Sequence, residues 1–337
     1  MGDLWNRNKE CVMIGSAFWN KLNGGTKAII INSGANPTSW ISTNLQTPVV
    51  NPAMTGFTGS PITLRIARDN PRYMVVVGNS ASSVVVGAYS TNGGVSWNNI
   101  PYNDSFIGLC NISNDGRIMV ITRQNASGAI YMSVNYGSSW TKYTAGVTSL
   151  PAEPCISPDN NYLYHTSYVN SVIFKWDINN MGAGYTGIVL AQMTPGGYGI
   201  QMLDSGRIYV TEYNSGTPRL FWVDNEVYVY GNFVTIGSGS NAGSGIAMSS
   251  NGKHMMYCRT NTQVQIYVSN NYGVTWTLTN LSSNIRSMSL FVSKSGRYMG
   301  IQSLTANIHY ISNNFGATFT QYNWTVGTSA SFNLEET

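Results

Sequence analysis

The sequence predicts an all-β fold: one seven-bladed β-propeller of four-stranded antiparallel blades over residues 1–337. Three observations predict it. Two short phrases recur in phase along the chain. Hairpin-turn signals separate short apolar runs. No segment of helical length shows helical periodicity.

The first phrase is a turn followed by an apolar run. It reads SNDGRIMVI at 113–121, LDSGRIYVT at 203–211, SSNGKHMMY at 249–257 and SKSGRYMGI at 293–301. Weaker copies are ARDNPRYMVVV at 67–77 and SPDNNYLYH at 157–165. The residues after the turn are Arg72, Arg117, Asn161, Arg207, Lys253 and Arg297, spaced by 45, 44, 46, 46 and 44. One step back lands on Lys27, which opens the run TKAIIINS and makes a seventh unit. The second phrase reads STNGGVSW at 90–97, SVNYGSSW at 133–140, SNNYGVTW at 269–276 and SNNFGATF at 312–319. Its beat also falls on Ser42, Trp176 and Val223. A tandem period of this length, with four strands in each unit, is the arithmetic of propeller blades. The expected blades are 8–50, 60–102, 105–147, 150–192, 197–237, 243–282 and 285–327. The N-terminal LWNRN and the C-terminal ASFNL could each add a strand to a neighbouring blade at ring closure.

Unit three shows the four strands in order. FIGLCNIS leads through Asn-Asp-Gly into RIMVITR, then QNASG, AIYMSV, the turn NYGSS and WTKYT. Glycine supplies the positive φ that such turns need.

Composition fits. Of the residues 42% are hydrophobic and 12% aromatic, but only 9% are charged, so Asn, Ser, Thr, Gly and Tyr carry the polarity. The net charge is +4 with no Lys/Arg run, which leaves no electrostatic footprint for specific nucleic-acid binding. Cys11, Cys110, Cys155 and Cys258 have no Cys-x-x-Cys spacing and are expected as buried thiols. His165, His254 and His309 have no partner at metal-ligand spacing, so neither a metal nor a cofactor is expected. No apolar run is long enough to span a membrane, and the polar start MGDLWNRNKE is no secretory signal. The expected location is a virion or the extracellular space.

The second phrase, S-x-N-x-G-x-[ST]-[WF], resembles the Asp-box or BNR repeat of the sialidase-like superfamily, with Asn in place of Asp at Asn92, Asn135, Asn271 and Asn314. Each part has a folding task. Ser90, Ser133, Ser269 and Ser312 open the turn; the Asn oxygen accepts backbone N–H groups within it. Gly94, Gly137, Gly273 and Gly316 take positive φ. Trp97, Trp140, Trp276 and Phe319 wedge between sheets, where burying such a ring stabilises by about 1.5–3 kcal/mol. The resemblance covers four units; units four and five carry FKWDINN and FWVDNE instead. Proteins with these repeats include sialidases, receptors, a photosystem assembly factor and phage particle proteins, so the fold carries over and the function must be argued separately.

Two classes of function follow. The first is a non-catalytic recognition or structural propeller, most naturally a tail, fibre or capsid-decoration protein of a virus or phage particle. It would bind a glycan or partner protein, and it could oligomerise. The loops 51–61, 101–106, 192–198 and 236–245 would form its binding face, with Arg123, Tyr102, Tyr213, Arg259 and Arg286 as ligand contacts. The second is a sialidase-like glycosidase. It would use Arg219, Arg259 and Arg286 for the substrate carboxylate, with Glu212 and Asp104 as base and acid. Glu212 with Asp104 or Glu153 is the carboxylate pairing to test. The early arginine phrase LRIA at 64–67 lacks the aromatic and the Pro that sialidases place around it. The post-turn series Lys27, Arg72, Arg117, Asn161, Arg207, Lys253 and Arg297 is expected to ring the channel. There it would either bind an anion or pair with nearby Asp69, Asp115 and Asp204.

Overall fold

A computed structural model describes the backbone between residues 20 and 331, apart from short connecting stretches, and side chains from residue 63 onward. The stretches outside the description are 23–24, 33, 36–37, 44–48, 54–57, 80–86, 103–107, 124–127, 145–150, 168–170, 190–196, 213–218, 238–243, 260–264, 282–289, 303–307 and 324–328. The architecture is an all-β propeller of six blades, not the seven expected. The blades run over 58–99, 108–144, 151–189, 197–235, 244–278 and 290–323, numbered 1 to 6 below. Each is an antiparallel meander of four strands in chain order.

Six innermost strands surround the axis: Thr58–Ile66, Gly108–Ile112, Pro151–Ile156, Gly197–Met202, Ser244–Met248 and Leu290–Val292. The turn that follows each meets the next blade. Asp69 N donates to Asn114 O (2.8 Å), Asp204 N to Ser250 O (3.3 Å) and Ser250 N to Lys294 O (3.1 Å). Lys294 Nζ then reaches Asp69 Oδ1 at 2.9 Å, joining blade 6 to blade 1. That contact leaves no place for a seventh blade between them. The range expected as the first blade does contain a sheet, formed by Asn20–Leu22, Gly25–Asn32, Thr38–Thr43 and Val49–Ala53. Among the described residues, the channel lining comes from the six blades. The second strand of this sheet pairs instead with Ser329–Ser331, and Gly34–Ala35 pairs with the extension of blade 1 at Thr58 and Gly59. The C-terminal segment thus adds a strand to the N-terminal sheet.

Both faces of each blade's second and third strands are covered by its neighbours, so these strands are buried almost throughout rather than alternating, whereas outermost strands such as Asn98–Asn99 and Thr320–Asn323 are largely exposed. In blade 2, Cys110, Ile121 and Tyr131 stand in register and pack on Val75 and Val77 of blade 1. Their chain neighbours Val120, Ile130 and Met132 pack the other way, on Leu163 and Phe174 of blade 3. Cys110, Cys155 and Cys258 are buried thiols. A kinked 3-10 segment, Ile178–Ala183, replaces the expected turn in blade 3; Asp177 caps it by accepting from Asn179 N at 2.9 Å.

Candidate functional site

Each blade turns twice on one end of the ring. The first-hairpin turns of blades 2, 3 and 5 share one hydrogen-bond pattern. Ser113 Oγ donates to Asp115 Oδ1 (2.6 Å) and accepts from Ile118 N (2.9 Å), while Asp115 Oδ1 accepts from Arg117 N (2.9 Å). Ser157, Asp159 and Asn161 repeat it in blade 3, and Ser249, Asn251 and Lys253 in blade 5. In blades 1, 2, 5 and 6 the second turns are the Ser-x-Asn-x-Gly phrases. In blade 2, Asn135 Oδ1 accepts from Ser133 Oγ (3.0 Å) and Ser139 N (2.9 Å), and Gly137 N donates to Ser133 Oγ (2.9 Å). The amide nitrogen of Asn135 also donates to Ser139 Oγ (2.8 Å), a bond a carboxylate would make only by accepting the hydroxyl proton. The same set recurs around Asn92, Asn271 and Asn314. Ser90, Ser269 and Ser312 take the place of Ser133, and Gly94, Gly273 and Gly316 that of Gly137.

The post-turn residues do not ring the channel. Arg72 Nε donates to Thr91 O (2.8 Å) and Arg297 Nε to Asn313 O (3.2 Å), each in the second turn of its own blade. Arg207 holds Asp224 through two bonds, 2.6 and 3.0 Å. They reach outward because the residue after a hairpin turn enters the second strand, one layer away from the axis. Lys27 lies where no side chain is described.

The channel charges come from the inner strands. Arg65 and Arg68 of blade 1 reach past the adjoining blades in opposite directions around the channel. Arg65 bonds Glu153 of blade 3, and Arg68 Nη1 bonds Ser250 Oγ of blade 5 at 3.0 Å. A cavity of about 110 Å³ remains, lined also by Asn111, Asn114, Gln201 and Asp204. Burial pushes the Glu153 carboxyl above its usual range, and the Arg65 guanidinium only partly offsets this. Burial likewise pushes the thiols of Cys110 and Cys155 up to about 12, which makes them poor nucleophiles.

Of the proposed catalytic groups, the structure brings two together. Glu212 is fully buried at the end of the second strand of blade 4, and Arg219 opens the third. Arg219 Nη2 and Nε grip the two carboxylate oxygens at 2.6 and 2.9 Å, and the guanidinium lies over Phe221 and Phe233. Arg259 is buried in blade 5, bonded to Gln265 Oε1 at 2.9 Å, which also accepts from Tyr267 OH at 3.1 Å. Arg123 ends the second strand of blade 2. Tyr102 packs in the seam between blades 1 and 2, 4.9 Å from the Tyr131 ring, with its hydroxyl donating to Trp140 O at 3.1 Å. Asp104, Tyr213 and Arg286 lie outside the described residues, as do most of the loops expected to form the binding face. Among the described residues no cluster of His, Cys, Asp and Glu could hold a metal ion, and no helix is long and apolar enough to cross a membrane.

Sequence reasoning missed the Arg65–Glu153 pair, although LRIA had drawn attention to Arg65; nothing in the spacing joins residues 65 and 153. It also missed the residue before each turn glycine. Tyr136, Tyr272 and Phe315 themselves take φ near +60°, and the ring of Tyr136 lies 4.6 Å from that of Tyr73 on the preceding blade. Phe315 meets His254 in the same way.

No protein-family model matches the sequence, and no curated protein matches it. Solved structures do resemble it in fold. A putative 6-phosphogluconolactonase from Bacteroides fragilis superposes with a TM-score of 0.64 at 13% identity, over 89% of this chain and 94% of that one. The β-propeller domain of Cps50 (Swd1) from Myceliophteria thermophila gives 0.62 at 10% identity, over 82% and 90%. YCF48 bound to D1 peptide gives 0.56 at 14% identity, over 92% of each chain. At such identities the likeness establishes the propeller fold and nothing finer.

Proposed function

We propose that this chain is a non-catalytic interaction propeller that serves as a virus or phage particle component and engages a partner protein through the face opposite the Ser-x-Asn-x-Gly turns. One observation carries the reading. Among the described residues, the arginines on which a sialidase-like site would depend are bonded to the protein's own groups: Arg65 to Glu153, Arg219 to Glu212 and Arg259 to Gln265. A buried carboxylate that grips Nε and Nη2 of Arg219 neutralises the charge a substrate carboxylate would need, and it is no base while so held. The pairs act as braces at the strand ends instead. The low charge and the Asn, Ser, Thr, Gly and Tyr composition support a particle component. A structural neighbour solved with a D1 peptide bound supports a polypeptide partner for this architecture.

The test has two arms. Purified chain is assayed on fluorogenic sialosides and neutral glycosides beside Glu212→Gln. Mass spectrometry of purified particles from the source then asks for the chain at fixed stoichiometry. No turnover with a constant copy number is the expected result. Turnover that disappears in Glu212→Gln would replace this reading by a hydrolase, and a chain missing from particles would remove the particle role.

A further inference from the structure

The blades repeat, so equivalent positions can be compared seam by seam. Strand register makes Tyr89, Trp222 and Val268 equivalent, because each pairs across from the second residue of the apolar run that follows the first turn: Val75, Tyr209 and Met256. The wedge residues Trp140, Trp276 and Phe319 are equivalent in the repeated phrase. Between blades 1 and 2 the seam holds Tyr89 and Trp140, with ring centroids 5.9 Å apart. Between blades 4 and 5, Trp222 and Trp276 pack on one cluster. Between blades 5 and 6 the same two places hold Val268 and Phe319. Two large rings have become a small aliphatic and a smaller ring, and a crevice of about 490 Å³ opens there.

The lining fixes what could enter. Among the described residues its lining carries no charge: Asn270, whose Oδ1 also meets His254 Nδ1 at 2.7 Å, and Thr275, Thr277 and Thr279 supply amide and hydroxyl groups, and Leu278 with the half-buried Phe319 supplies an apolar wall. The hydroxyl oxygen of Thr279 is buried with no hydrogen-bond partner among the described residues. A buried hydroxyl is ordinarily satisfied, so an unpaired one beneath the wall of a polar crevice gains a bond when its side chain turns to another rotamer and meets a ligand. The volume lies within the ~300–1,000 Å³ of small-ligand sites. An anion or cation would find no counter-charge among the described lining residues. An extended peptide would find no strand to extend, since the outer strand of blade 5 is only Thr277–Leu278. A neutral sugar matches: hydroxyls for the Asn and Thr groups, and C–H faces for Phe319 and Leu278.

We infer that the crevice between blades 5 and 6 is a binding site for a neutral saccharide. It involves neither the channel nor the opposite loop face, so it stands apart from the function proposed above. The full chain is titrated with maltose, cellobiose, lactose and N,N′-diacetylchitobiose by saturation-transfer NMR and calorimetry. Val268→Tyr/Phe319→Trp rebuilds the filled seam that the protein already uses between blades 1 and 2, and Thr279→Val removes the buried hydroxyl. Saturable binding of at least one sugar is expected, falling tenfold or more in the double variant and measurably in Thr279→Val. Thr279→Val without sugar should melt no lower than the parent. If none of the four sugars saturates, or if the double variant binds as the parent does, the inference fails. Should the double variant not fold, Thr279→Val decides alone, and unchanged affinity in it counts against the site.

Discussion

Asn135 is bonded at both ends of its amide, and this sets what each replacement should do. Asn135→Asp keeps both acceptor bonds, and Ser139 can turn its hydroxyl to donate, so stability should move by less than about 0.5 kcal/mol. Asn135→Ala leaves Ser139 N without its acceptor and should cost about 1 kcal/mol, read as a shift in urea midpoint. Glu212 sits at the other extreme. It is fully buried with Arg219 as its partner, and Glu212→Gln removes a charge the guanidinium was built around. A loss of about 3 kcal/mol is expected by denaturant titration, because one buried charge is left uncompensated. His165 and His309 are fully buried, and burial lowers their pKa values to about 4 and 3. Unfolding exposes them near pH 6.5, so below that pH the unfolded chain binds more protons. Their contribution is therefore present above pH 6.5 and lost as pH falls from there toward 4, about 2 kcal/mol for each by pH 5. Glu153, shifted upward, has the opposite slope above the ordinary carboxylate range. The clean reading is thus a difference: calorimetry from pH 7.5 to 5 should show a steeper decline for the parent than for His165→Phe/His309→Phe.

At the scale of the blade, the turn glycines separate two costs that usually arrive together. Gly116 and Gly206 hold the same place in blades 2 and 4, with φ of +85° and +86°. A Cβ at Gly206 meets nothing within 4 Å, whereas one at Gly116 would lie 2.5 Å from Tyr73 Cβ of the preceding blade. Gly206→Ala should therefore cost only the left-handed backbone penalty, about 1 kcal/mol. Gly116→Ala must also displace Tyr73 from its contact with Tyr136, and should cost at least about 2 kcal/mol more. Thermal unfolding of the two variants side by side reads the difference. The turn itself was legible in SNDGR and LDSGR, because positive φ has a sequence signature. Which glycine seats a neighbour's ring was not: the matching residue one blade earlier is Tyr73 for Gly116 and Tyr162 for Gly206, both tyrosines, yet only Tyr73 packs against its glycine.

At the scale of the molecule, strand order, turn positions and the single repeated architecture could be read from periodicity, since each unit's hydrogen bonds are local. Blade number could not. TKAIIINS keeps the beat and does form a four-stranded sheet, yet membership of the ring is decided by contacts between units far apart in sequence. Asp69 and Lys294 are separated by most of the chain, and no spacing rule pairs them. The same limit hid the Arg65–Glu153 pair and the crevice between blades 5 and 6. The arrangement of Arg219 with Glu212 was nearer to hand, because both flank one hairpin loop, but the sequence left open whether the pair serves chemistry or bracing.

Ring closure is the claim on which the channel, the seams and the site assignments all depend, and distances between spin labels test it with an internal ruler. Asp69, Asn114 and Pro158 hold equivalent places in blades 1, 2 and 3, and Lys294 holds that place in blade 6. Labels are placed pairwise at 69 and 114, at 69 and 158, and at 69 and 294; the exposed Asp69–Lys294 pair contributes under about 1 kcal/mol, so its loss is tolerated. A six-bladed ring predicts that the 69–294 distance equals the nearest-neighbour distance 69–114. A 69–294 distance matching the second-neighbour distance 69–158 would place a seventh sheet between the first and last blades and contradict the account.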